Sequence, residues 1–252
     1  MARYVSGDWH GQMALAKQVM DFLQPNDELY FLGDAIDRGP SGYEIMKMLL
    51  ADERVVYLKG NHEDMLTEYV PEFLEGDWSC LNLWFQNGGQ ETWEAIKHLS
   101  KDAKLSLIYS LNLLPERVDL TNTKGQNLIL THAGTDPDKD ERYWERMGVN
   151  DPYIWNRKHI HHQWTGDDNT FVIHGHTPVE YVPDPEKWMA DETEEDATFI
   201  PTVRFYCKGH KIDMDMGSFY TGRTAIMNLD TFEITYFEAK PEGKWADSNE
   251  KY

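Results

Sequence analysis

Short apolar segments, each followed closely by glycine and polar residues, recur along the chain. They are three or four residues long and rich in β-branched and aromatic side chains, which is typical of buried strands. A buried helix would need a longer apolar pattern. Five strands are therefore predicted, at residues 4–6, 29–32, 55–58, 128–130 and 171–173.

Between the first three predicted strands, apolar residues recur every three to four positions, which is the spacing of an amphipathic helix. This pattern covers residues 13–23 and 43–50. Strands that alternate with helices favour a parallel sheet, because each helix crosses from the end of one strand to the start of the next. The opening third is therefore predicted to contain such a sheet.

The rest of the chain is less regular. Residues 64–114 show no strand pattern and are predicted to form helices that could cap a site. Residues 183–200 carry prolines and several acidic residues, which predicts a solvated surface excursion. Residues 211–216, 224–229 and 233–237 are predicted to close the fold as an antiparallel meander. The length of 252 residues suits a single α/β domain over residues 1–252.

A polar cluster stands at the C-terminal end of each of the five predicted strands, which is where open α/β sheets place their ligands. Singly, such clusters have ordinary explanations, since an aspartate before a helix is often a cap and a histidine often only packs. Five in one chain indicate a common site. The clusters are residues 7–11 (GDWHG), 33–40 (GDAIDRGP), 60–63 (GNHE), 131–134 (THAG) and 174–178 (HGHTP).

The side chains in these clusters combine carboxylate and amide oxygens with imidazole nitrogens. Such mixed ligands suit a pair of Mn²⁺, Fe or Zn²⁺ ions better than Ca²⁺ or a metal held by thiolates. Arg38 adds a planar guanidinium that fits a phosphoryl group. The sequence therefore predicts a site with two metal ions that handles phosphate.

Composition narrows the set of partners. The 24 basic and 44 acidic residues give a formal net charge of −20, which opposes broad contact with nucleic acid or an anionic membrane. Two cysteines, Cys80 and Cys207, make neither a disulfide framework nor a zinc pair. The first motif begins too early for a secretory leader, and no segment is long and apolar enough to span a membrane. We therefore expect a monomeric cytoplasmic protein.

Read in chain order, the clusters give the motifs G-D-x-H-G, G-D-x-x-D-R-G, G-N-H-E, H-A-G and G-H-T. This series resembles the PPP-type, calcineurin-like metallophosphoesterases, especially the compact serine/threonine protein phosphatases of bacteria and phages. Residues 213–217 (DMDMG) also resemble the closing strand of that family, so the resemblance covers nearly the whole chain. It implies a layered α/β/β/α sandwich with a helical insertion at residues 64–114.

The resemblance also implies a role for each motif residue at the metal ions. Asp8 and His10 would hold one ion, and Asp34 would bridge it to the second ion. The implied cofactor is a pair of divalent or transition-metal ions, with Mn²⁺ expected first and Fe or Zn²⁺ as alternatives. The other ligands of the second ion would be Asn61, His132 and His176.

The remaining implied roles concern the phosphoryl group and the leaving group. His62 would donate a proton to the leaving oxygen, and Asp37 would orient it. Arg38 would bind phosphate together with Arg157, which is assigned from the I-W-N-R segment at residues 154–157. Two cations that share a water lower its pKa from about 15.7 to roughly 7. A proton donor adds about 10²–10⁴-fold to the rate.

Several histidines are ambiguous in the sequence. His174 precedes the G-H-T motif, but the resemblance favours His176 as the ligand. Pro178 replaces the second histidine of G-H-x-H, and this favours the PPP branch over other metallophosphoesterases. The local cluster at residues 159–162 has no acidic residue at ligand spacing, so its histidines are predicted to lie at the surface.

The function expected from the resemblance is hydrolysis of phosphoserine or phosphothreonine in proteins, with a phosphorylated protein or peptide as the partner. Phosphotyrosine remains a further substrate to test. A dinucleoside-tetraphosphate hydrolase is the main alternative, although such relatives alter the D-R-G motif. A nuclease is less favoured because of the net charge and the absent G-H-x-H. An inactive phosphopeptide-binding module would lack a ligand or the donor histidine, and all are present.

Overall fold

Two five-stranded mixed sheets form the centre of the computed structural model, which describes residues 1–74, 81–183 and 199–247. Most of the acidic excursion predicted at residues 183–200 lies outside the described residues, as does Cys80. Among the described residues, none of the helices combines the length and the apolar character that crossing a bilayer requires.

The first sheet has the strand order β10-β9-β1-β2-β3. Strands β1, β2 and β3 pair in parallel, which confirms the parallel sheet predicted for the opening third. Strands β9 and β10 extend the sheet as an antiparallel hairpin beside β1. The strands are β1 (Arg3–Ser6), β2 (Glu28–Phe31), β3 (Val55–Tyr57), β9 (Arg223–Asn228) and β10 (Ile234–Glu238).

The second sheet has the strand order β4-β5-β6-β8-β7. Its three central strands, β5, β6 and β8, run in parallel, and an antiparallel strand closes each edge. The strands are β4 (Arg117–Thr121), β5 (Asn127–Thr131), β6 (Thr170–His174), β7 (Arg204–Tyr206) and β8 (Lys211–Asp213).

The predicted closing meander is wrong in its first strand. β8 does not pair with β9 but lies in the other sheet, parallel to β6 and antiparallel to β7. An alternating pattern identifies a strand, but it carries no information about which sheet the strand joins. Strands β4 and β7 were not predicted, because both lie at a sheet edge and lack a continuous apolar run.

Helices α1 (Met13–Phe22) and α2 (Gly42–Ala51) connect the parallel strands of the first sheet, close to the predicted ranges. Within residues 64–114 the described residues contain helices and no strand. These helices are α3 (Asn61–Leu74), α4 (Leu81–Gln86), α5 (Gly89–Ile96) and α6 (Lys101–Asn112). Three short helices follow later in the chain: α7 (Glu141–Arg146), α8 (Pro152–Trp155) and α9 (Ser218–Thr221).

Two apolar layers hold the sandwich together. The first packs the early helices on the outer face of the first sheet, through side chains such as Val19, Ile45 and Phe31. The second lies between the sheets, where Val5 of β1 meets Ile173 of β6. On the outer face of the second sheet, the 3-10 helix His159–His161 packs Ile160 against β7. The fold is therefore an α/β sandwich of the expected class, with all the parallel strands ending on one side.

Candidate active site

Asp34 stands at the centre of the polar clusters that follow the parallel strands. Its Oδ2 atom lies 3.6 Å from His10 Nε2, 3.5 Å from His132 Nε2 and 3.8 Å from His62 Nε2. These side chains arrive from the ends of β1, β2, β3 and β5, and all are at most 2% exposed. The structure thus brings together residues that are distant in the sequence, as the strand-end pattern predicted.

The backbone at these strand ends is locally strained. Left-handed φ values at residues other than glycine cost on the order of 1–3 kcal/mol each and persist only where the surroundings enforce them. Such strain concentrates in proteins at binding and catalytic sites. Here it occurs at six of the predicted site residues: Asp8 (φ 56°), His10 (φ 42°), Asp34 (φ 60°), Asp37 (φ 67°), Arg38 (φ 63°) and His176 (φ 70°).

Backbone carbonyls fix the orientation of two imidazoles. His10 Nδ1 lies 2.9 Å from the Ile36 carbonyl oxygen, and His132 Nδ1 lies 2.9 Å from that of Leu32. A carbonyl can only accept, so each Nδ1 carries a proton and donates it. In the neutral ring, each Nε2 then presents a lone pair to the centre of the site, which is the form in which histidine binds metal ions.

Asn61 and His132 bring two acceptor atoms together at this centre. His132 Nε2 lies 2.9 Å from Asn61 Oδ1, which is also an acceptor. Burial lowers the pKa of His132 to about 4, so no proton stands between the two atoms at neutral pH. Two acceptor atoms at this distance, with the Asp34 side chain nearby, form a set that suits a bound cation.

Asp8 and His176 close the other side of the centre. Asp8 Oδ1 accepts a hydrogen bond from the His176 backbone N–H at 2.9 Å, and His176 Nδ1 lies 2.9 Å from Asn61 Oδ1. Asp8 Oδ2 and His176 Nε2 are buried and find no hydrogen-bond partner among the described residues. A Cβ atom at Gly175 would stand 2.0 Å from Asp8 Oδ2, so only glycine leaves room for this carboxylate.

These donors fit a pair of metal ions. Two triads have ligand atoms within 4.8 Å of one another, namely His10, Asp34 and His62, and Asp8, Asp34 and His132. Both triads contain Asp34, as a bridging carboxylate would require. These triads differ from the ligand sets that the resemblance implies. The resemblance assigns Asp8 to the same ion as His10, whereas by distance Asp8 lies with His132, and His62 lies with His10.

The His62 ring is held by Asp37. His62 Nδ1 lies 2.7 Å from Asp37 Oδ2, so Nε2 points into the site. Burial raises the pKa of Asp37 to about 7, whereas hydrogen bonds from Thr92 and Trp84 favour its ionised form. Burial and then the charge of Arg38 lower the pKa of His62 well below its usual range. The imidazolium form therefore depends on Asp37 and on the negative charge of a bound phosphoryl group.

The two predicted phosphate-binding arginines differ in burial. Arg38 is 6% exposed, and its guanidinium nitrogens lie 3.1 Å from His10 Nε2 and 3.1 Å from His62 Nε2. Arg157 is exposed and donates to Thr177 Oγ1 at 3.2 Å. The positive charge of Arg157 reaches His176 and lowers its pKa, after the effect of burial. Arg38 thus lies inside the site, whereas Arg157 is exposed and lies next to Thr177.

Two further carboxylates were missed as site residues. Burial, followed by the negative charge of Asp215, raises the pKa of Asp8 well above its usual range. Asp215 itself is fully buried, and its Oδ2 has no hydrogen-bond partner among the described residues. Glu63, also fully buried, accepts from the backbone N–H groups of Asp34 and Gly60 and joins the ends of β2 and β3. The sequence did contain a signal for Asp215, because acidic residues alternate with methionines in the D-M-D-M-G segment and a buried carboxylate needs a partner.

The histidines outside the centre form a separate buried network. His174 Nε2 lies 2.7 Å from the Tyr206 hydroxyl, which also lies 3.2 Å from His159 Nε2. The prediction that the histidines of residues 159–162 lie at the surface is wrong for His159, which is fully buried. His162 also pairs with Asp136 at 2.8 Å. Acidic partners distant in the sequence cannot be found from local spacing.

Comparison with known proteins agrees with this geometry. The chain is 31% identical over 122 residues to serine/threonine-protein phosphatase 2 of Escherichia coli K12, covering 47% of this chain and 52% of that protein. It is 27% identical over 169 residues to the asymmetrical bis(5'-nucleosyl)-tetraphosphatase PrpE of Oceanobacillus iheyensis, covering 61% of this chain and 64% of that protein. The chain thus spans about half to two thirds of the length of these relatives.

A solved structure and a family match complete the comparison. The protein serine/threonine phosphatase from Saccharomyces cerevisiae with similarity to human phosphatase PP5 has a TM-score of 0.54 at 14% identity, over 98% of this chain and 83% of that one. This likeness supports the fold. Residues 1–214 match the model of the calcineurin-like phosphoesterases. The chain therefore belongs to the calcineurin-like phosphoesterase family, whose members are metal-dependent hydrolases.

Proposed function

We propose that this protein hydrolyses phosphomonoesters, with phosphoserine and phosphothreonine in proteins or peptides as its substrates. Asp8, His10, Asp34, Asn61, His132 and His176 would hold two metal ions, with Mn²⁺ as the first candidate. When bound, these ions would activate a water molecule and neutralise charge on the phosphoryl oxygens. The convergence of Asp8, His10 and His132 on Asp34 supports this assignment. The contacts of Asn61 with His132 and His176 support it for the other two residues.

One observation favours an alkyl phosphate substrate. His62 Nε2 points into the metal-ligand cluster while Asp37 holds Nδ1 at 2.7 Å. A serine or threonine alkoxide is a strongly basic leaving group, so its departure needs a proton from a positioned donor. A nucleotide leaving group is already a weak base and needs that proton less. The His62–Asp37 pair therefore supports monoester hydrolysis over the alternative substrate class.

The chain's own residues divide the remaining work. Arg38 has two guanidinium nitrogens facing the cluster and would bind phosphoryl oxygens in a bidentate manner. Arg157 would add a second positive charge from its exposed position beside Thr177. His62 would hold a proton at Nε2 and release it to the leaving oxygen, and Asp37 would stabilise the charged ring.

The relatives carry a second candidate function, because one of them is named a bis(5'-nucleosyl)-tetraphosphatase. Release of product from a phosphoserine peptide, a phosphotyrosine peptide and a dinucleoside tetraphosphate, each with Mn²⁺, Mg²⁺ or a chelator, separates the candidates. We expect metal-dependent turnover of the phosphoserine peptide that the chelator abolishes. Turnover of the tetraphosphate alone would replace the proposed function with the second one.

A further inference from the structure

Helices α4 and α5, together with the short segment between them, contact the turn that carries Asp37 and Arg38. Trp84 of α4 donates its indole N–H to Asp37 Oδ2 at 2.8 Å. Thr92 of α5 donates its hydroxyl to Asp37 Oδ1 at 2.5 Å and accepts from the Asp37 backbone N–H at 3.0 Å. The proposed chemistry gives neither side chain a role, although Asp37 links both of them to the proton donor His62.

Together these contacts hold both oxygens of the Asp37 carboxylate. Oδ2 accepts from His62 Nδ1 and from Trp84 Nε1, while Oδ1 accepts from Thr92. Asp37 and Trp84 are fully buried, and Thr92 and His62 are 1% exposed, so water does not compete for these bonds. A carboxylate held at both oxygens cannot rotate about its Cβ–Cγ bond, and its direction then fixes the plane of the His62 ring.

The same segment also holds the backbone of the turn. Asp37 and Arg38 both have left-handed φ values, 67° and 63°, which are costly for residues other than glycine. The Arg38 N–H donates to the Gly88 carbonyl oxygen at 3.0 Å. Gly88 itself has a φ of 94°, and a Cβ atom there would stand 2.6 Å from Arg38 Cγ. The helices can therefore lie this close to the turn only because Gly88 has no side chain.

We infer that Trp84 and Thr92 are positioning residues, which hold Asp37 so that His62 presents Nε2 to the leaving group. This inference rests on the proposed function, since it concerns the proton donor of that reaction. Removing the two donors would leave Asp37 free to turn, and His62 would lose its fixed ring plane. Neither side chain touches the phosphoryl group in this assignment.

A comparison of two substrates tests the inference in the metal-loaded protein. The variant Trp84→Phe/Thr92→Val removes both donors; Thr92→Val conserves volume, and the volume lost in Trp84→Phe is matched in the control variant below. Its kcat for a phosphoserine peptide should fall about 10–100-fold, the usual effect of removing a residue that orients a functional group. Its kcat for p-nitrophenyl phosphate should fall by a factor that is about ten times smaller than the factor for the peptide. The reason is that nitrophenolate leaves without needing a proton.

Trp144→Phe/Thr224→Val is a matched control. Trp144 and Thr224 are fully buried, and their donor atoms have no hydrogen-bond partner among the described residues. The control double variant should therefore keep the wild-type ratio of the two kcat values. If Trp84→Phe/Thr92→Val fails to fold, the single variants Thr92→Val and Thr92→Ser replace it. Serine retains the hydroxyl, so Thr92→Ser should restore the ratio that Thr92→Val loses.

Nuclear magnetic resonance of ¹⁵N-labelled histidine gives a readout that needs no substrate. In protein loaded with a diamagnetic cation, Mg²⁺ or Zn²⁺, His62 should show a proton on Nδ1 that exchanges slowly with water. The Trp84→Phe/Thr92→Val variant should lose this signal or exchange it much faster, whereas the control should keep it. The signal is assigned to His62 by its absence in His62→Asn.

The outcomes separate the two proposals. An unchanged Nδ1 proton in the Trp84→Phe/Thr92→Val variant, or an equal fall of kcat on both substrates, would overturn the positioning role. If the wild-type protein hydrolyses neither monoester, the proposed function fails. The exchange measurement would then still decide whether Trp84 and Thr92 hold His62.

Discussion

At the residue scale, the candidate site is defined by acceptor atoms that face one another around Asp34. His10 and His132 each donate a hydrogen bond from Nδ1 to a backbone carbonyl oxygen, which directs Nε2 toward Asp34. His62 differs, because its Nδ1 partner is the Asp37 carboxylate. A carboxylate stabilises an imidazolium far better than a carbonyl does. The hydrogen-bond partner of Nδ1 therefore distinguishes the expected proton donor from the expected metal ligands.

His62→Asn should accordingly remove catalysis without removing metal. We expect kcat for a phosphoserine peptide to fall by about 10²–10⁴-fold, the usual contribution of a general acid. The metal content, measured by atomic absorption, should stay at the wild-type value. The exposed His161 provides a control, and His161→Asn should leave kcat unchanged. Turnover of His62→Asn at the wild-type rate would show that another group donates the proton.

The sequence could predict that the strand-end residues lie close together, because the clusters follow buried strands in a parallel arrangement, whereas the role of each residue stays a prediction. It could not predict contacts between segments that are far apart in the chain. Asp215 affects Asp8, which follows β1 of the first sheet, from the segment after β8 of the second sheet. Trp84 and Thr92 reach Asp37 from helices that carry no signal of this contact in their own pattern.

At the element scale, the connection after β6 shows how tightly two strand ends meet. Gly175 separates β6 from His176, and its backbone N–H donates to the His132 carbonyl oxygen at 2.8 Å. The position where its side chain would lie is next to Asp8, which follows β1 of the other sheet. Packing of the two sheets at this point therefore depends on the absence of a Cβ atom.

Gly175→Ala should therefore weaken metal binding and stability together. The added methyl group would displace the Asp8 carboxylate, at a cost of about 1–3 kcal/mol in the free energy of unfolding. Isothermal titration with Mn²⁺ should show a clear loss of affinity. The control is Gly125→Ala, where φ is 77° and nothing lies within 4 Å of the added Cβ. It should cost about 1–2 kcal/mol of backbone strain while Mn²⁺ affinity is retained. Equal Mn²⁺ affinity in Gly175→Ala and wild type would contradict the close approach.

At the scale of the whole molecule, the site concentrates buried titratable side chains in a protein that is already strongly acidic. Burial raises the pKa of Asp34, Asp37, Glu63 and Asp215 to about 7. In the absence of bound cations, the folded protein keeps these protons up to about pH 7, whereas the unfolded chain releases them near pH 4. The stabilisation from these protons is therefore complete only at low pH and is lost as the pH rises through 7.

The buried histidines act in the opposite direction but in a different pH range. Burial lowers the pKa of His132 to about 4 and that of His174 to about 3. The unfolded chain takes up protons on these residues below about pH 6.5, and the folded protein does not. They therefore destabilise the fold mainly as the pH falls through and below that value. Between pH 6.5 and 8 their effect fades, and among the described residues the raised carboxyl groups have the larger influence on the slope of stability with pH.

Chelator-treated protein should therefore lose stability from pH 6.5 to 8, by on the order of 1 kcal/mol for each of the raised carboxyl groups that ionises. Mn²⁺ should reverse this trend, because cations bind the ionised carboxylates and stabilise only the folded state that assembles them. The increase in melting temperature on adding Mn²⁺ should thus be larger at pH 8 than at pH 6.5. Urea unfolding and thermal melts at both pH values, with chelator and with Mn²⁺, measure both effects.

Asp34→Asn should make the fall of stability with pH in chelator less steep, because an amide cannot ionise. A chelator-treated protein that becomes more stable from pH 6.5 to 8 would show that these carboxyl groups are already ionised in the fold without metal.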